Sequence, residues 1–345
     1  RGEGVYLYTK QNDKYLDFGS GIAVNSLGHC HPILVDVLKK QSEKLWHTSN
    51  LYSSTLQEEY AKNICINTFA KKVFFTNSGA EAIECGVKMI RKYFYSKGQN
   101  KNRIITFTGS FHGRTITALS AQKNNEYMKG FGPFLDGFDQ VPFCDLDALK
   151  KSINDNTAAL LIETIQGEGG IRPIPLDILK EIRKICDEKK ILLILDEIQC
   201  GFGRSGKLFS YQWADIKPDV MAVAKGIASG FPMGACLATD EVSQFMTKGT
   251  HGSTFGGNHL AIAVSNAVLD FILQDNFLSK VDEISRYLWE ELNKIKNKND
   301  EIVEIRGAGL LLGIKTKNLN TKINKLFLSN KLLTICAADN IIRLS

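Results

Sequence analysis

Two apolar runs in this chain each end on a residue able to do chemistry. Ile191-Leu-Leu-Ile-Leu-Asp196 runs into an acid, and Met221-Ala-Val-Ala-Lys225 into an amine. A continuous apolar run bounded by polar or glycine residues is the pattern of a strand buried on both faces, as in a parallel sheet covered by helices. Asp196 and Lys225 then stand at strand ends, where an open α/β sheet places its ligand crevice. An amine and an acid converging there suit pyridoxal phosphate. That cofactor needs a lysine to hold its aldehyde as a Schiff base and a carboxylate to keep its ring nitrogen protonated, so that the ring can absorb carbanion electrons. Each residue alone is ambiguous: an acid after a strand also serves the Mg²⁺ site of an NTPase, and a lone lysine at a strand end is commonly a solvated charge.

Other segments carry groups of a matching kind. The strand pattern of Lys72 to Thr76 leads straight into Asn77-Ser-Gly-Ala80 and a helix. Such a turn can cradle a phosphate, because free backbone N–H groups, a hydroxyl and the positive end of the helix dipole face the anion. Ser78, Gly79 and Ala80 are the candidates, although in isolation the same pattern is most often an ordinary serine N-cap. No GxxxxGK[ST] occurs, which disfavours a P-loop. After the strand Arg103 to Phe107, Phe111 on a Gly-flanked loop can stack on a planar ring, and Arg114 beside it can fork a carboxylate. Taken alone, they would be a core aromatic and a surface charge. His112 suits a structural or ring-facing role better than that of a base.

The buried strand Thr157 to Glu163 ends five residues before Glu168 on a Gly-rich loop. Two carboxylates so spaced invite a glycosidase acid/base reading, but nothing else supports a sugar site, and Glu168 can simply pair with an arginine. Gln199-Cys-Gly-Phe-Gly-Arg-Ser-Gly206 contains a match to a nucleotide fingerprint without its strand-then-helix context, and reads instead as an active-site loop. Gly226 to Gly234 is too rich in Gly and Pro for a helix, which puts Lys225 on a tight turn. His251-Gly-Ser-Thr-Phe-Gly-Gly257 offers two further hydroxyls for phosphate contacts.

These groups need a large scaffold, and 345 residues with 43% hydrophobic content allow a sizeable core and two domains. The 43 basic and 37 acidic residues are scattered, which argues against a nucleic-acid arm. Eight cysteines stand singly, without a CxxC pair or metal-ligand spacing, as in a cytoplasmic protein with reduced thiols and no metal site. No apolar stretch is long enough to span a membrane, and no signal-like segment opens the chain. Along the chain we expect a hairpin within Val5 to Phe18, helices from Pro32 to Leu45 and from Thr55 to Phe69, and a helix over Leu176 to Lys189 that completes a β-α-β unit. Helices over Leu260 to Ile272, Val281 to Lys294 and Thr321 to Ser329, with strands over Ile302 to Ile305, Gly309 to Ile314 and Ile341 to Leu344, suggest a smaller α+β domain. The expected division is a large cofactor-binding domain over 46–270 and a small domain made of 1–45 with 271–345.

With these residues in hand, the chain resembles the class III, ornithine-aminotransferase-like subgroup of fold type I pyridoxal 5'-phosphate enzymes over nearly its whole length. The resemblance rests on Thr76-Asn-Ser-Gly-Ala-Glu-Ala82, Ser110-Phe-His-Gly-Arg-Thr115, Glu163 to Gly169, Leu195-Asp-Glu-Ile-Gln199, Ala224-Lys-Gly226 and Gly252-Ser-Thr-Phe-Gly-Gly257, in that order. It implies an α/β fold: a mainly parallel sheet covered by helices, plus the smaller α+β domain. It also implies roles: Lys225 as the Schiff-base lysine, Asp196 on the pyridine nitrogen, Gln199 on the ring's phenolic oxygen, Phe111 on one ring face, and Thr254 reaching the phosphate of a neighbour in a homodimer. Arg114 and Ser253 would contact substrate, and Glu168 would pair with Arg343 as a switch between two amine donors. His259 departs from the family's usual proline. Ser20-Gly-Ile-Ala-Val-Asn-Ser-Leu-Gly-His29 is most similar to the branch that takes N2-acetylornithine, since the ornithine branch usually has a tyrosine in this neighbourhood for the free α-amine. The implied reaction is transamination of N2-acetyl-L-ornithine with 2-oxoglutarate, a step of arginine biosynthesis. Ornithine or N-succinyldiaminopimelate aminotransfer is the near alternative; an aminomutase or a non-catalytic nucleotide-binding module is the distant one.

Overall fold

The computed structural model describes residues 1–345. At its centre lies a seven-stranded sheet, in the spatial order Lys72–Thr76, Gly234–Ala238, Val220–Val223, Leu192–Asp196, Thr157–Glu163, Arg103–Phe107 and Phe138–Val141. Every strand but Gly234–Ala238 runs in the same direction. Successive side chains on a strand point to opposite faces, and here both faces are apolar. Leu193 and Leu195 join one buried cluster with Leu160 and Ile162, while Ile194 joins another with Ala159 and Leu161. That two-sided burial is why these strands read as unbroken apolar runs.

Helices supply the covering layers. Gly79–Ser96 lays Ala82, Ile83, Val87 and Ile90 on one face; Leu176–Lys189 and His259–Ile272 lay Leu179, Ile182, Ile262 and Leu269 on the other. The helix Pro32–Ser42, with proline in its first turn, sends Leu34 into the same large cluster. His259, at the position where the resembled family has proline, hydrogen-bonds Ser54 Oγ through Nε2 at 3.1 Å.

Strands Ile302–Ala308, Leu311–Thr316, Ile341–Leu344 and Ile335–Ala337 form an antiparallel sheet over a separate small core that includes Leu292, Leu312 and Ile342. The expected N-terminal hairpin forms between Tyr6–Tyr8 and Lys14–Asp17, and the latter strand pairs in parallel with Leu332–Leu333. The two ends of the chain thus share one sheet. No helix is long and apolar enough to cross a membrane.

Two strands of the central sheet escape the sequence reading. Gly234-Ala-Cys-Leu-Ala238 is short and follows a Gly/Pro run, and half of Phe138–Val141 is polar because it lies at the sheet edge.

Candidate active site

Register brings the chemistry together. Asp196 pairs with Glu163 on one side and with Ala222 on the other, so the two carboxylates stand level at the strands' carboxyl ends, three residues short of Lys225. They open on a cavity of about 310 Å³, whose walls include Ser78, Gly79, Phe111, Gln199 and Val24.

Lys225 begins a single 3₁₀ turn, Lys225–Ile227, and adopts φ 49°, a left-handed conformation that the following Gly-rich segment accommodates. Burial depresses its amine's pKa below the usual lysine value. The charge of Arg343 adds to this, while Glu168, Asp196 and Glu163 oppose it. Asp196 is committed to His112, and Glu168 to Arg343, which leaves Lys225 Nζ without an ion pair.

Asp196 is 3% exposed. Its Oδ2 accepts from His112 Nδ1 at 2.8 Å and its Oδ1 from the Ile198 amide at 3.1 Å. A carboxylate accepts only, so the imidazole carries a proton on Nδ1. His112 Nε2 is buried with no partner. In the same cavity, Ser78 caps the helix Gly79–Ser96, its Oγ accepting from the Glu81 amide at 3.3 Å. The amides of Gly79 and Ala80 lie in the first turn, where a helix has no internal acceptor to offer. A Cβ on Gly79 would stand 2.7 Å from Ile198 Cδ1, so any larger residue in this turn must displace the Ile198 side chain beside Asp196.

Phe111 is half-buried, and its ring meets the edge of Tyr127 at 6.2 Å. Arg343, 1% exposed, donates from one terminal nitrogen to Glu168 Oε1 at 2.6 Å and to Gln199 Oε1 at 3.1 Å. Its Nε and other terminal nitrogen are unpartnered. The expected Glu168–Arg343 pair is therefore formed, with Gln199 as an added member.

Four expected site residues do not line this cavity: Arg343 meets it only through Glu168 and Gln199, and the other three lie elsewhere. Arg114 is exposed, with its guanidinium 3.8 Å above the Tyr127 ring. Ser253 Oγ accepts from Asn77 Nδ2 at 3.1 Å, and it shares with the exposed Thr254 a separate hollow that also holds Glu81 and Glu84. Asn77 lines both spaces. The reading of Gln199 to Gly206 as an active-site loop needs correction. Only Gln199 reaches the cavity, while Cys200 and Phe202 are core residues, the latter packed edge-on against Phe209 at 5.2 Å.

Sequence reasoning names two further groups without reaching what they do here. Glu163, like Asp196, ends an apolar run, so its place at a strand end is visible in the sequence, but its two amide partners are not. The partnership of His112 with Asp196 joins positions 84 apart and leaves no local trace.

The residues fit pyridoxal phosphate. An unpaired, desolvated amine, a braced carboxylate, an aromatic ring and open helix-terminal amides share one cavity, at the lower end of the ~300–1,000 Å³ typical of small-ligand sites. Sheet and site together define a fold type I pyridoxal phosphate transferase. Within that class the chain belongs to the class III aminotransferases: the model of the family Aminotransferase class-III matches residues 1–345. Acetylornithine aminotransferase of Agrobacterium fabrum is 54% identical over 100% of this chain and 87% of its own, and that of Brucella melitensis is 51% identical over 100% and 86%. Among solved structures, ornithine aminotransferase from Toxoplasma gondii superposes with a TM-score of 0.96 at 30% identity, covering 100% of this chain and 84% of its own. N-acetylornithine aminotransferase from Stenotrophomonas maltophilia does so with 0.88 at 35%, covering 100% and 88%.

Proposed function

We propose that this aminotransferase moves the terminal amine of N2-acetyl-L-ornithine to 2-oxoglutarate, giving N-acetyl-L-glutamate 5-semialdehyde and L-glutamate in arginine biosynthesis. The observation that carries the reaction type is the unpaired amine of Lys225 opening on the same cavity as the His112-braced carboxylate of Asp196. The choice of substrate is supported by the acetylornithine aminotransferases that match over the full chain, and by the apolar Val24, which gives a free α-amine no polar partner on that wall.

Lys225 would hold the cofactor, with Asp196 at its ring nitrogen, Gln199 at its ring oxygen, Phe111 against its face and Ser78, Gly79 and Ala80 at its phosphate. Bound there, pyridoxal phosphate supplies an electron sink for the carbanion left when a substrate C–H proton departs. The protein's part is to place and move that proton. Burial lowers the affinity of Lys225 for its proton, so the freed amine is more readily available as a base than that of an ordinary lysine. Asp196 cannot swing away, because both of its oxygens are held. Arg114 would fork a substrate carboxylate. Arg343 would receive another when Glu168 moves aside, and Glu168 would neutralise the buried guanidinium when no such carboxylate is present.

The active form in this proposal is a cytoplasmic homodimer in which Thr254 reaches the neighbour's phosphate site and Ser253 the substrate. The exposed hollow that holds both residues, joined to the cavity at Asn77, supports that arrangement, and eight free cysteines suit a reducing compartment. The proposed large domain is 46–270, the small one 1–45 with 271–345, and the packing of Leu34 brings the helix 32–42 onto the large body.

A visible spectrum of the purified holoenzyme, followed by assay with acetylornithine, ornithine and N-succinyldiaminopimelate against 2-oxoglutarate, tests both reaction and substrate. Lys225→Ala should lose the visible absorbance and the turnover together; retention of both refutes the assignment.

A further inference from the structure

We infer that Glu163 is a positioning residue whose single carboxylate ties the loop bearing Phe111 to the loop bearing Glu168, holding two walls of the cavity at one spacing. Oε1 accepts from the Phe111 amide at 2.8 Å, and Oε2 accepts from the Gly167 amide at 3.1 Å. Neither amide has another acceptor. The side chain itself is anchored, because Glu163 ends the fully buried Thr157–Glu163 strand in register with Asp196. One wall segment carries the aromatic ring, and the other carries the partner of Arg343, so any slack at Glu163 is felt at both.

The charges around it explain why an acid is used. His112 faces it from the Phe111 loop, Asp196 from the adjacent strand and Lys225 from the turn beyond. Burial pushes its carboxyl up to about 7; His112 and the two amides oppose the rise, and Asp196 adds to it. The ionised carboxylate accepts freely on both oxygens, whereas protonation turns one of them into a donor and weakens it as an acceptor. A glutamine has one acceptor, and its amide nitrogen would confront an N–H donor at the second site.

The tie is independent of the reaction; its catalytic consequence rests on the aminotransferase reading. Hydrogen–deuterium exchange on the holoenzyme reads the tie directly. In Glu163→Ala, residues 108–115 and 164–170 should both exchange about 5- to 150-fold faster than in the wild type, the range expected for the loss of a buried hydrogen bond. In Glu163→Gln only one of the two should loosen. If the alanine variant does not fold, Glu163→Asp, which keeps the charge but is one methylene shorter, should release at least one loop. Unchanged exchange in both loops overturns the tie. With glutamate as amine donor, kcat/KM should fall at least tenfold in any variant with a loosened loop, and the acid limb of its pH profile should shift. Full activity with loosened loops overturns the positioning role. Loosened loops in a protein that never transaminates would sink the function reading and leave the tie standing.

Discussion

Replacing His112 with leucine keeps much of the side-chain volume while deleting the only side-chain donor to Asp196. The imidazole is fully buried and the carboxylate 4% exposed, so solvent cannot take over the lost contact. Oδ1 keeps the Ile198 amide, but Oδ2 is left desolvated with no donor. A hydrogen bond to a charged group contributes roughly 1.5–3 kcal/mol. At 1.4 kcal/mol per factor of ten, a cofactor whose retention depends on that oriented carboxylate should bind about 10- to 150-fold more weakly. Dialysis of the holoenzyme followed by titration of visible absorbance against added pyridoxal phosphate measures the loss. His112→Asn places an amide nitrogen close to where Nδ1 stands and should recover most of the affinity. If the leucine variant binds cofactor within twofold of the wild type, Asp196 is not braced in the way described.

Three further outcomes follow from other parts of the site. Glu163 titrates at about 7 in the fold, against an ordinary 4.5, so between those values the folded chain keeps a proton that the unfolded chain releases. Its contribution therefore falls as pH rises from 5 to 7, and thermal melts across that range should show a shallower decline in Glu163→Gln. Gly79→Ala drives a methyl into Ile198 and should cost about 1–3 kcal/mol, seen as a lowered melting temperature and weaker cofactor binding; adding Ile198→Val, which removes the clashing Cδ1, should restore part of both. Tyr127 supports the Arg114 guanidinium on its ring face, a stack worth about 0.5–1 kcal/mol at an exposed position. Tyr127→Leu should raise KM for the carboxylate substrate about two- to fivefold with little change in kcat, and Tyr127→Phe should not; equal effects of the two variants would exclude the ring face as the cause.

The elements nearest the site were the most legible in the sequence. Lys72–Thr76, Arg103–Phe107, Thr157–Glu163 and Leu176–Lys189 lie where the residue patterns place them. Strands buried on both faces must be apolar throughout, and a covering helix must carry a 3.6-residue stripe, so each leaves a local signature. The antiparallel Gly234–Ala238 strand left none, because its small residues are defined by the two strands they lie between. The left-handed turn at Ser20 to Ala23, with Ile22 at φ 68°, is equally silent, since nothing local favours a branched residue there.

By itself, the sequence determined that an amine and an acid end two buried strands, that a serine-capped helix follows a third, and that an aromatic and an arginine share a glycine-flanked loop. Those are properties of short segments, written in residue type and spacing. Only the tertiary structure decided which groups meet: His112 on Asp196, Arg343 shared between Glu168 and Gln199, and one carboxylate at Glu163 holding two loops. It also put Arg114, Ser253 and Thr254 away from the cavity lined by Lys225, Asp196 and Phe111. Contacts such as these, most of them between residues 52 to 175 positions apart, are set by sheet register and helix packing, which depend on the whole chain at once, and no short window of residues records them.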